Sequence, residues 1–109
     1  MLESFTEIMT ETSTIKVFHG LDPMNPPDDN VDVEVLLEDG SRWGATFFTV
    51  ANIRSLMDKV AATGEASGDW FWAANMIMIR ELTLDSIRAA VEDIYATGYL
   101  ASTFGILAD

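Results

Sequence analysis

The chain has 109 residues, 49% of them apolar and 22% charged, which fits a single domain, 1–109, and is too apolar for intrinsic disorder. Eighteen acidic against six basic side chains give a formal net charge of −12, and such a balance repels nucleic-acid backbones and anionic membrane surfaces. The lack of cysteine excludes disulfides, thiolate nucleophiles and cysteine-ligated zinc, and the single histidine excludes a multi-histidine metal site within one chain.

Met1 to Thr14 carries Glu3, Glu7 and Glu11 but no Lys or Arg, the reverse of a secretory n-region. The strongly apolar run 70–79 is only about half the length needed to cross a bilayer as a helix, so a cytoplasmic protein without membrane contact is expected. Leu2, Phe5, Ile8 and Met9 fall at helical spacing and predict a short helix within 1–12. Thr14 to His19, rich in β-branched residues, reads as a strand. Residues 20–30 form a Pro/Asp-rich loop, because Pro23, Pro26 and Pro27 break any regular element.

Val31, Val33, Val35 and Leu37 alternate with Asp32, Glu34, Leu36 and Glu38, the two-residue period of a half-buried strand. Glu38, Asp39 and Gly40 then reverse the chain. A two-residue loop would pair Leu37 with Arg42 and mix polar with apolar groups on one face. A three-residue loop with Gly40 left-handed pairs Leu37 with Ser41, Val35 with Trp43, Val33 with Ala45 and Val31 with Phe47, which separates the faces and is therefore expected. It leaves Asp32 and Glu34 together on the opposite, wet face beside Gly44 and Thr46.

Thr49 suits a helix N-cap, with Val50, Ile53, Leu56, Met57 and Val60 as the inward stripe and Gly64 as the stop. After a loop, Trp70 to Arg80 is nearly all apolar and reads as a strand covered on both faces, the centre of the sheet. Thr83 caps a second helix with Leu84, Ile87, Val91, Ile94 and Tyr95 inward and Gly98 as its stop. Tyr99 to Leu107 fits a strand or a short helix equally. The predicted class is α+β: an antiparallel sheet with two main helices, 50–63 and 84–97, packed on one face.

Charge is uneven. Residues 1–39 hold ten acids and one base, residues 40–109 eight acids and five bases. Asp28, Asp29, Asp32, Glu34, Glu38 and Asp39 lie in a stretch free of basic residues, and read as either a solvated face that discourages edge pairing or a docking surface for a basic protein. Asp28, Asn30 and Asp32 match the first positions of an EF-hand loop, but Val33 stands where that loop needs glycine and Asp39 where it needs the longer Glu, so no metal is expected. His19 reads as a structural histidine at a strand end. With neither a histidine-based nor a metal-based constellation, an enzyme is not expected, nor is a cofactor. Trp70, Phe71 and Trp72 cannot all face one core, which raises a homodimer contact as the second interaction surface.

The run Asp39-Gly40, Thr46-Phe47-Phe48-Thr49, Asn52-Ile53, Leu56-Met57, Gly64-Glu65, Gly68, Trp70-Phe71-Trp72, Met76 to Ile79 and Leu82-Thr83 resembles small acidic bacterial domains of the immunity-protein type. That resemblance implies a non-catalytic inhibitor of a cognate toxin, often a basic nuclease. The expected function is thus an acidic binding protein that docks a basic partner through its hairpin. The alternative is a homo-oligomeric structural or small-ligand domain that uses the Trp-rich strand.

Overall fold

The computed structural model describes residues 4–107. Its elements run β1 (Thr6–Met9), β2 (Ser13–Phe18), β3 (Asn30–Leu37), β4 (Arg42–Thr49), α1 (Val50–Thr63), β5 (Met76–Ile79), α2 (Leu84–Ala96), α3 (Leu100–Thr103) and β6 (Gly105–Leu107). The α+β class holds. Strands β1 to β4 form an antiparallel meander, and beyond β4 its edge is shared: β5 pairs in parallel with Thr46 to Thr49, β6 antiparallel with Arg42 to Gly44. The one parallel pair follows from connectivity, because α1 carries the chain back to the end of the sheet at which β4 began.

The β3–β4 hairpin adopts the three-residue turn. Gly40 has φ 87°, the left-handed region that glycine enters without a Cβ penalty. The backbone N–H of Leu37 donates to the Ser41 carbonyl at 3.0 Å, and Val35, Val33 and Val31 face Trp43, Ala45 and Phe47. Ile15, Val17, Val31, Val33, Val35, Ala45 and Phe47 form one side of a single core with Leu82, Ile87, Val91, Leu100 and Phe104. Phe47 meets Phe104 edge-on with centroids 6.3 Å apart. Of the expected inward stripe of α2, Ile87 and Val91 are buried, whereas Leu84 and Tyr95 at its margins are exposed. Helix α1 has no buried residue and adds no side chain to this cluster.

Two expectations for the strands are corrected, and one open choice is resolved. Residues 6–9 form strand β1, paired with β2 from Thr6↔Val17 to Met9↔Thr14, so the helix expected within 1–12 is absent there. Four residues are too few to hold a helix alone, and the ready edge of β2 decides. The expected strand over Trp70 to Arg80 shrinks to Met76–Ile79, and it lies at the sheet margin; β3 and β4 occupy the centre. Residues 99–107 contain both alternatives in series, α3 then β6.

Candidate partner-binding face

Side chains alternate across the sheet, so the residues between the core positions project to the other face. The register sets Phe18 opposite Asp32 and Asp32 opposite Thr46; the next row is Glu7, Lys16, Glu34 and Gly44. Over β3 and β4 this face forms an open trough of about 890 Å³. Its floor is Asp32, Glu34, Gly44 and Thr46; Phe18, Gly20 and Leu21 line it on the β2 side, and Ala74, Asn75 and Leu107 on the β5 and β6 side. Gly44 keeps the floor low, since a Cβ there would meet the Leu107 side chain at 3.2 Å.

The two floor carboxylates differ. Arg42 Nε donates to Glu34 Oε1 at 2.8 Å, and the Glu34 side chain is only 17% exposed, so that charge is largely compensated within the protein. Lys16 stands opposite Glu34 and lies over the Phe5 ring, 5.3 Å from its centroid, while Phe5 packs against Phe18. Asp32 accepts a hydrogen bond at 2.7 Å from the Thr46 hydroxyl. Among the described residues no cation pairs with it.

The other four acids predicted for docking lie outside the trough. Asp28 accepts from Asn52 and Ser55, both at 3.3 Å, in the first turns of α1, where the positive end of the helix dipole favours a carboxylate. Asp29 accepts from the backbone N–H groups of Asn25 and Asn30, structuring the Pro/Asp-rich loop. At the far end of β3, Asp39 accepts from both the hydroxyl and the N–H of Ser41; these bonds, the hydroxyl's first, hold its carboxyl below the usual value of 3.8. Eight strand residues separate the two groups, roughly 25 Å. The six acids therefore form an extended line with only Asp32 and Glu34 sharing one concavity. Among the described residues, no three His, Asp or Glu side chains are grouped to hold a metal ion.

Sequence reasoning missed Arg42. The stretch from Asp22 to Asp39 lacks bases along the chain, but the expected register already placed Arg42 beside Gly44 on β4, diagonal to Glu34, and that diagonal was the available signal.

The aromatic run divides as its crowding required. Phe71 is half-buried and packs edge-on against Phe48, centroids 5.2 Å apart, whereas Trp70 and Trp72 are 68% and 77% exposed. They stand on a connecting segment instead of a covered strand. His19 is held at both nitrogens, Nε2 to the Thr6 hydroxyl at 2.7 Å and Nδ1 to the Gly20 carbonyl at 2.9 Å. A carbonyl can only accept, so Nδ1 carries a hydrogen and the ring ties β1 to the end of β2. None of the described helices is long and apolar enough to cross a membrane. No family model, characterised protein or solved structure matches the chain.

Proposed function

We propose that this protein is a non-catalytic binding protein that docks a basic protein partner along its β3 hairpin. One observation carries the reading: of the six carboxylates on β3 and its flanks, Glu34 alone meets a cation among the described residues, in a chain of net charge −12. Five uncompensated charges along one strand and its ends make a field that attracts a cationic surface and raises its association rate. The hydrogen bonds to Asp28, Asp29 and Asp39 come from neutral donors, which orient these groups and leave their charge in place. A toxin is the partner class that the immunity-type resemblance implies.

The test is capture of a binding protein from the native host, followed by association kinetics with the purified pair. Association should slow severalfold between low and physiological salt, and Asp32→Lys with Glu38→Lys should slow it more than Glu92→Lys with Asp93→Lys, which changes net charge equally on α2. Equal losses, or rates indifferent to salt, would sink the reading. An apolar homomeric contact is favoured by one feature, the exposure of Trp70 and Trp72; it predicts a concentration-dependent mass that rising salt leaves unchanged or increases.

A further inference from the structure

Resting on that reading, we infer that the trough on the open sheet face is the seat for one arginine or lysine side chain of the partner, carried between apolar neighbours, with Asp32 as the carboxylate that receives it. The core face of the sheet is covered by α2, α3 and Phe104, whereas none of the described helices covers the trough face over Asp32, Gly44 and Thr46, which line an open cavity of about 890 Å³. That is room for a long side chain and its flanking residues.

The occupant's chemistry follows from what the cavity supplies. Its side walls, with Phe18, Leu21 and Leu107, are mainly apolar. Leu21 is 86% exposed, an apolar side chain at the rim with nothing over it. Such walls suit the methylene stem of Arg or Lys and an apolar neighbour on either side. The floor holds two carboxylates, and Glu34 is satisfied by Arg42. Asp32 has one oxygen engaged by Thr46 and, among the described residues, the other has no partner. A carboxylate oxygen accepts more than one hydrogen bond, so Thr46 orients Asp32 without saturating it, and a guanidinium can approach both oxygens. An anionic ligand is disfavoured by the floor, and a wholly apolar one would leave Asp32 covered and unpaired.

The probe is a capped pentapeptide, Gly-Leu-Arg-Leu-Gly, titrated into the full chain at low salt and followed by amide NMR, beside the same peptide with neutral, near-isosteric citrulline in place of arginine. Saturable shifts are expected at the amides of Asp32, Gly44 and Thr46. Affinity should fall about fivefold with citrulline and about fivefold with Asp32→Asn, a variant whose thermal unfolding checks that the exposed site tolerates it. Equal binding of the two peptides overturns the inference, and so does an unchanged affinity in Asp32→Asn or a lack of saturable binding. Shifts centred on Asp28 and Asp29 or on Glu38 and Asp39 also overturn the trough as the seat, yet leave the basic-partner reading standing. That reading fails separately, through salt-indifferent association with the captured protein.

Discussion

Asp29 and Thr49 grip each other across the mouth of the hairpin: the Asp29 N–H donates to the Thr49 hydroxyl at 3.1 Å, and the Thr49 N–H donates to the Asp29 carbonyl at 3.1 Å. The same hydroxyl accepts from Asn52 N–H at 3.1 Å as the N-cap of α1. Thr49 is fully buried, so one oxygen joins the acidic loop, the end of β4 and the start of a helix. Thr49→Val is expected to lower unfolding free energy by about 1–3 kcal/mol, since it leaves these N–H groups without an acceptor. Thr49→Ser keeps the oxygen and should lose less. Urea denaturation of the two variants beside the parent measures the difference.

Arg42 restrains Glu34, which is the less exposed member of the pair at 17% against 35%. Arg42→Gln should therefore destabilise the fold by about 1–2 kcal/mol, through a carboxylate left short of its cation. It should also add a second uncompensated charge to the trough floor and strengthen binding of the arginine pentapeptide. Stability and affinity moving in opposite directions is the signature, read by urea unfolding and by peptide titration; a parallel fall would show that Arg42 shapes the trough instead of only masking Glu34.

Asp39 gives the hairpin turn a pH dependence. Its folded carboxyl titrates below the ordinary 3.8, chiefly because of the Ser41 hydroxyl and then the Ser41 N–H. A depressed carboxyl contributes stability that is present above the unfolded value and is lost as pH falls through the folded one. Ser41→Ala removes the larger cause and keeps the N–H. The Asp39 midpoint, followed by carboxyl-carbon NMR, should rise toward 3.8, and the stability gap between parent and variant should narrow as pH drops below that value. The part of the gap that survives in acid reports the Trp43 indole, whose N–H donates to the Ser41 hydroxyl at 3.0 Å.

Gly68 tests the packing of the connection after α1. It has φ 83°, and a Cβ there would fall 2.7 Å from the Met57 carbonyl oxygen and 2.7 Å from the Ala61 Cβ. Gly64 has a similar φ of 79° but open space around it. Gly64→Ala should cost about 1–2 kcal/mol for the left-handed backbone alone, and Gly68→Ala clearly more, because helix backbone must shift. Equal thermal shifts would mean that the loop gives way without disturbing α1.

The hairpin was legible down to its register, because an alternating valine strand and a Glu-Asp-Gly turn state their geometry within a few residues. Both helix caps were legible for the same reason: Thr49 and Thr83 accept from Asn52 and Ser86 within a single turn. The misread segments are those whose partners lie far off in sequence. Thr6 to Met9 fits a helix until β2 offers it an edge. An uncharged run such as Trp70 to Ile79 looks identical whether it crosses the centre of a sheet or exposes its indoles on the way to a margin. The acids of the site could be named from the chain alone, but their division into one compensated, one open and four distant groups depends on which strand brings Arg42 alongside.

The divided margin of β4 has a bearing on how the chain is made. As synthesis proceeds from the N-terminus, the hairpin emerges with that margin bare. It stays bare at one end until Met76 to Ile79 arrive and at the other until Gly105 to Leu107 emerge to meet Arg42, Trp43 and Gly44. A nascent chain paused between these points offers a backbone template to any neighbour, with Phe47 still lacking the Phe104 ring that later lies against it. Almost the whole described chain must therefore have emerged before the sheet can close its second side.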